Sequence, residues 1–456
     1  MDHVSDFENS NSATAGFYRQ NAFYIRMDSL FDLDLVDQKP SPFALAMHAH
    51  EYVHFLHNAS TTSGQAYLLS NLILLRAFVA GSDDHGHFLG PENMPDGKRD
   101  LLHLAGKLMC AQLGTTTAKS LNSCRDISTW KCTSPELNMS DDIVSVTTDF
   151  TAKNDDGETI VQNVTIGLSF VTEGIAYEVD REIRRLSKIH EELLDTNTKN
   201  FPYLAYAKLL DSWSGRRLTA QERIGVGVCA LVHRFSGYLL AQICSELKKT
   251  DLPVFEVLKK ARKIHSGESE LVLSHIREQR CDLGKEGVIW TAMGEYMKLA
   301  EAGVKLRQKR WAPELVFLSS RLTSEKLRSH FGTMLDCLIM QCKPEGKLDI
   351  YWIGPGHIAR SFETSQYLGV LQSAIHFSQL HLSAKGEICP TLAFRRRVVS
   401  CPFSGGCASE IDDQYPDACK SAPWERFAFS APEEKVCWYA AGVKALRKPS
   451  GAPPTN

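Results

Sequence analysis

With 456 residues, of which 43% are hydrophobic and 23% charged, the chain has an ordinary globular composition and can bury a large core in two or three lobes. Its formal charge of −3 excludes nucleic-acid binding by general basicity. The N-terminus carries no basic segment followed by an apolar one, and the best apolar stretch, 67–80, is interrupted by Asn71 and Arg76. A cytoplasmic protein that does not enter a membrane is expected, with its thirteen cysteines reduced.

Residues 1–16 read as a polar, mobile tail. Phe23 to Met27 and Phe31 to Val36 are short apolar-aromatic runs with strand character. Ser41 followed by Pro42 predicts a capped helix start, and the apolar pattern then repeats at helical period to about Asn58. Further helices are predicted at 64–80 and 100–113, with an irregular stretch at 115–140. The alternating runs 142–153 and 158–167 flank Asn154-Asp155-Asp156-Gly157 and predict a β-hairpin. An amphipathic helix over 168–189 follows. Helices are then predicted at 201–213, 219–248, 252–265, 268–279, 287–308, 322–342, 364–382 and 431–446, with a short strand at 348–353.

These elements define an α+β, predominantly helical protein. Its expected parts are a tail (1–16), a core with the hairpin (17–250), a helical domain (251–385) and a Cys-containing C-terminal segment (386–456). In the last part Cys389, Cys401, Cys407 and Cys419 either hold a structural zinc or are unlinked buried thiols. The basic runs Arg395 to Arg397 and Lys259 to Lys263 read as solvated faces.

The chemistry is concentrated in His50-Glu51-Tyr52-Val53-His54, an H-E-x-x-H motif expected about 0.03 times by chance in a chain of this composition. Histidines four apart lie on one helix face and can converge on one ion. Glu51 sits about 100° around the helix, where its carboxylate can take a proton from a metal-bound water. The plainer alternative is two satisfied histidines and a surface glutamate sharing a helix. A catalytic zinc usually takes a third protein ligand. A histidine six positions after His54 is excluded, since Ser60 stands there, and no acidic residue occurs between Phe55 and Ser82. The loop Asp83-Asp84-His85-Gly86-His87 is rich in ligand types, yet such loops are more often simply solvated.

The pair of segments HEYVH and Thr172-Glu173-Gly174-Ile175-Ala176 resembles the gluzincin metallopeptidases. The resemblance covers residues 43–58 and 168–189. It implies a zincin-like core, with Zn2+ held by His50, His54 and Glu173, and Glu51 as general base. The chain departs from the family in the long separation between His54 and Glu173. It also departs at Tyr177, where many such enzymes place an acidic residue; Asp180 is the substitute for orienting His50 or His54. The alternative for Glu173 is a helix N-terminal carboxylate facing the macrodipole.

An oxyanion donor is expected among Tyr177, Tyr203 and His233-Arg234, with Tyr203 preferred because a proline-fixed turn would hold its ring. His48 and His57 are assigned structural or solvent-facing roles. The hairpin either walls a substrate cleft or is a plain insertion. The expected activity is hydrolysis of peptide bonds in a protein or peptide, with no nucleic-acid partner. The rivals are a highly selective intracellular protease effector or another zinc hydrolase, and a non-enzymatic partner-binding module with a structural zinc. The sequence leaves the oligomeric state undetermined.

Overall fold

A computed structural model describes residues 16–17, 21–33, 40–124, 126–140, 142–154, 156–196, 198–282, 287–343, 348–383, 385–394, 398–403, 416–428 and 437–447. The architecture is α+β and predominantly helical. The principal helices are α1 (Pro42–Ser60), α2 (Thr62–Ala80), α3 (Asp96–Leu113), α4 (Leu168–Leu186), α5 (Ala205–Ser214), α6 (Ala220–Ala230) and α7 (Ser236–Lys249). After these come α8 (Val254–Ile264), α9 (Glu268–Asp282), α10 (Val288–Lys309), α11 (Ser324–Phe331), α12 (Phe362–Gln379) and α13 (Trp438–Lys444).

One four-stranded sheet takes the order β1 (Gly16–Phe17), β2 (Tyr24–Met27), β7 (Cys337–Cys342) and β8 (Leu348–Ile353). Within it β2 and β7 are parallel, and the two outer pairings are antiparallel. The second sheet is built on β5 (Ile143–Lys153), which pairs antiparallel with β3 (Lys131–Cys132), β4 (Glu136–Ser140) and β6 (Thr159–Ile166). The β5–β6 hairpin is the one anticipated from its turn. Asn154 Oδ1 accepts from the amides of Asp156 and Glu158, and Gly157 supplies the positive φ of +83°. Among the described residues one hydrophobic cluster extends from Ala22 to Leu446.

Four elements differ from the sequence reading, the first being the strand expected from Phe31, where Ser29–Phe31 forms a short 3-10 turn and 32–33 are not strand. The helix expected at 322–342 stops at Phe331, and 337–342 is the buried strand β7 between β2 and β8. A strand covered on both faces is a continuous apolar run, which periodicity alone does not separate from a buried helix. The helix expected at 219–248 is broken at 231–235, where carbonyls turn outward to α2: the Ser63 amide donates to Leu231 O and its hydroxyl to His233 O. The stretch 115–140 contains β3 and β4, whose pairing is with a distant partner strand and leaves little local pattern. Residues 34–36 of the second expected strand, the tail 1–15, Arg395 to Arg397, Cys407 and the start of the last helix lie outside the described residues.

The organising element is α1. Its Ser41 cap accepts from the Ala44 amide at 3.1 Å with Pro42 in the first turn, and from Ala44 onward nearly every side chain is buried. A helix buried on all sides leaves no face for its polar groups, so each must find a partner elsewhere. His48 donates from Nε2 to Phe31 O at 3.0 Å, and Tyr52 donates to Leu335 O and accepts from Leu335 N, both at 2.9 Å. At the far end, His57 Nε2 lies 3.1 Å from Glu314 Oε1. Arg307 grips the same carboxylate with two nitrogens at 2.6 and 3.0 Å, and also donates to Ser60 Oγ at 2.9 Å. Both Glu314 and His57 are fully enclosed.

Burial pushes the His57 pKa down to about 4, Arg307 adding to the effect and Glu314 opposing it. Burial alone would raise the Glu314 carboxyl, but Arg307 and His57 bring it down to about 2. Of the structural or solvent-facing roles expected of His48 and His57, both take the buried one, His48 bonded to Phe31 O and His57 set against Glu314.

Removing the carboxylate leaves Arg307 without its countercharge, so Glu314→Ala is expected to destabilise the fold by about 3–5 kcal/mol in urea unfolding. The pH dependence has one sign. Both groups have folded pKa values below their ordinary 6.5 and 4.5, so their contribution is complete above those values. It is lost as pH falls, His57 toward 4 and Glu314 toward 2. Unfolding free energy measured from pH 7 to 4 should fall, and His57→Gln should flatten that part of the curve.

Candidate metal centre

His50 and His54 project from consecutive turns of α1, and Glu173 is brought to them by α4, which packs along α1. The β5–β6 hairpin sets this register. Strand β6 ends at Ile166, Gly167 caps α4, and Glu173 falls in the second helical turn. That position is past the first turn, where a macrodipole role would place a carboxylate. The close approach of α4 to its other neighbour requires Gly174, because a Cβ there would fall inside the ring of Tyr206 on α5. Gly227 on α6 meets the hydroxyl end of the same ring.

The two Nε2 atoms are 3.1 Å apart, and Glu173 Oε2 lies 3.2 Å from His54 Nε2 and 3.8 Å from His50 Nε2. Ligands around a tetrahedral zinc, with bonds of about 2.0–2.1 Å, stand about 3.3 Å apart, so the three atoms have the separations that such an ion requires. Glu173 Oε2 is buried and makes no hydrogen bond. Burial alone would raise the Glu173 pKa, but His54 first and then His50 hold it far below the usual carboxylate range. An anionic oxygen and two imidazoles, brought together without apolar filling between them, fit a divalent cation of the zinc class.

Around this group three further side chains take distinct positions. Glu51 is buried on α1, and its charge reaches Tyr203. The Tyr203 ring centre is 6.0 Å from that of His50. Burial raises the Tyr203 pKa well above 10.0, with the Glu173 and Glu51 charges adding to it, so the phenol remains a proton donor. The segment carrying it, 200–204, is pinned by Asn122, whose Oδ1 accepts from the Phe201 amide at 2.8 Å, and by Asn200, which donates to Cys124 O. Asp180, two turns beyond Glu173 on α4, places Oδ2 3.8 Å from His50 Nδ1 and takes a 2.5 Å hydrogen bond from Arg184 on Oδ1. It is an ionic neighbour of the His50 ring, and Arg184 fixes its own orientation.

The other candidates separate from the site. The Tyr177 hydroxyl donates to Asp195 Oδ1, which Arg181 also holds, so it fastens the 191–195 segment. In the loop 83–87, the Asp83 carboxylate accepts from the His85 and His87 amides and closes its own turn. Among the described residues, groups of three metal-competent side chains form at two places: His50, His54 and Glu173, and separately His233, His265 and Glu268. The loop belongs to neither, nor do Cys389, Cys401 and Cys419. The second group escaped the sequence reading, although His265 and Glu268 stand three apart at the junction of two predicted helices. The Glu314–Arg307 network was equally invisible, because its members lie more than 240 positions from α1 partners such as Ser60.

Among the described residues no helix is long and apolar enough to cross a membrane. No family model matches the chain, and no curated protein or solved structure matches it either.

Because the Tyr206 ring is flanked by helix backbone, Gly174→Ala is expected to destabilise the protein by about 1–3 kcal/mol through overpacking. It should also weaken metal binding by moving Glu173 away from α1. Thermal unfolding and metal titration of the purified variant check both effects.

Proposed function

We propose that the protein is a zinc-dependent metallopeptidase that hydrolyses peptide bonds in a protein or peptide substrate, with a zincin-like core built on α1 and α4. The observation that carries this reading is the convergence of the two H-E-x-x-H histidines with a glutamate from a separate helix. A structural zinc site would make no use of an intact Glu51 between the histidines, and an open three-ligand site suits catalysis better than a closed four-ligand one.

In this reading His50, His54 and Glu173 hold the ion. When bound, zinc acidifies a water molecule and polarises the scissile carbonyl. Glu51 accepts the proton of the attacking water and returns it to the leaving amine, as a buried carboxylate next to the reacting centre can. Tyr203, kept protonated by its surroundings, donates a hydrogen bond to the carbonyl oxygen as negative charge develops there. Asp180, 3.8 Å from His50 Nδ1, stands behind that ring, where carboxylates commonly orient metal-bound histidines, without a hydrogen bond to it in this structure. In this reading the protein acts in the cytoplasm.

Glu51→Gln should keep its metal, measured by elemental analysis, while losing about 10²–10⁴-fold in cleavage. A search for new protein termini in extracts exposed to wild type or to this variant would identify the substrate. Lack of stoichiometric metal in the wild type, or metal without Glu51-dependent cleavage, would overturn the reading. Tyr203→Phe should lower kcat by about 10²–10³-fold with metal content and KM little changed.

A further inference from the structure

The second group of ligand-type side chains sits where three separate segments meet. His233 lies in the break between α6 and α7, His265 is the residue that ends α8, and Glu268 is the first residue of α9. One ligand atom from each lies within 4.8 Å of the other two. The His233 and His265 ring centres are 5.2 Å apart with the planes at 80°. Glu268 Oε2 is shielded from solvent and makes no hydrogen bond, its nearest cation being Arg234 Nε at 3.6 Å.

The backbone holds the first ring in place. The Phe235 amide donates to His233 Nδ1 at 3.0 Å, and the same nitrogen lies 3.2 Å from Phe235 O. Both contacts commit Nδ1 to the backbone, so Nε2 is the nitrogen left to face an ion; binding there would place the ring's proton on Nδ1, within reach of the Phe235 carbonyl. The surrounding contacts tie this junction to α2: Ser63 Oγ donates to His233 O at 2.6 Å, and Thr62 Oγ1 lies 2.7 Å from Ser269 Oγ.

We propose that His233, His265 and Glu268 form a second divalent-metal site, distinct from the centre on α1, whose ion clips the α8–α9 junction to the α6–α7 break. Two imidazoles and one carboxylate suit a borderline transition ion such as Zn2+, Co2+ or Ni2+; Mg2+ and Ca2+ need more oxygen ligands than this group offers. All three residues are partly exposed, so an ion can enter from solvent and complete its coordination with water. The role is mechanical. One ion would add a direct tie between segments that already meet through the packing of α8 on α6 and the Arg234–Glu268 pair, and it would stabilise the folded chain by mass action. The two groups share no residue, so this site stands independently of the peptidase reading.

The test uses the full chain, stripped with a chelator and titrated with Zn2+ by calorimetry and with Co2+ by visible absorption. Wild type should bind two equivalents. His265→Ala should bind one, and so should His54→Ala, which retains the second site. Glu268→Gln, which keeps the side-chain shape, should weaken one equivalent at least tenfold. The thermal midpoint of His54→Ala should rise on adding Zn2+, and that rise should vanish in the His54→Ala/His265→Ala double variant. If His265→Ala and Glu268→Gln have native circular dichroism and bind metal as wild type does, the proposal is wrong. Loss of an equivalent in His265→Ala but not in His54→Ala would instead reject the α1 centre and keep this one.

Discussion

The constraint on which the structure turns is the burial of a polar helix. From Ala44 to Ser60 the side chains of α1 are enclosed almost without exception, yet they include four histidines, a glutamate, a tyrosine and an asparagine. Each enclosed polar group without a partner would cost roughly 1–3 kcal/mol, so the fold has to deliver partners along the whole helix. It draws them from every part of the chain. Asn58 accepts from the Asn21 amide, His48 donates to Phe31, and His50 and His54 face Asp180 and Glu173. Tyr52 engages Leu335, His57 engages Glu314, and Ser60 accepts from Arg307. A helix that draws on such distant partners cannot form its native surroundings until those segments have docked, and even then the Nδ1 atoms of His50, His54 and His57 make no hydrogen bond among the described residues. The metal-competent group is one part of that general solution.

This arrangement also explains why some of the architecture is legible in the sequence and some is not. The start of α1, the β5–β6 turn and the helix carrying Glu173 depend on local chemistry: a serine before a proline, an Asn-x-x-Gly turn, and apolar residues at helical spacing. Those signals sit within a few residues of the feature they specify. Strand β7 carries no alternation because both of its faces are covered, and the break at 231–235 exists because α2 takes its carbonyls. The partners of His57, and the meeting of His233 with His265 and Glu268, arise from packing across tens to hundreds of positions. No periodicity encodes them. For the same reason Tyr177 and Tyr203, both candidates from sequence with Tyr203 preferred, separate fully in space: one hydroxyl is committed to Asp195, while the other ring stands beside His50.

The electrostatics of α1 divide along its length. At its centre His54 and Glu173 lie in contact, and the carboxylate stays ionised because imidazoles surround it. One turn further on, His57 meets a carboxylate already neutralised by a guanidinium, and its own ring remains uncharged. Two His–Glu pairs on one helix therefore serve different ends. The first belongs to a group that could hold a metal ion, whereas in the second Arg307 neutralises the carboxylate and the pair serves cohesion.

The hairpin ahead of α4 has a consequence for how this chain tolerates change in length. Its base runs straight from Ile166 through Gly167 into the helix bearing Glu173, with no slack between strand and ligand. Inserting one residue there would turn every following helical position by about 100° and advance it by about 1.5 Å, carrying the carboxylate off the imidazoles. Among the described residues of the tip, the side-chain hydrogen bonds of Asn154 stay within the turn, to Asp156 and Glu158. Extra chain at the tip would hang outside the ladder and leave both ends in register. The same element is thus a rigid ruler at one end and a permissive splice point at the other, so a tag or a crosslinking handle belongs at the tip.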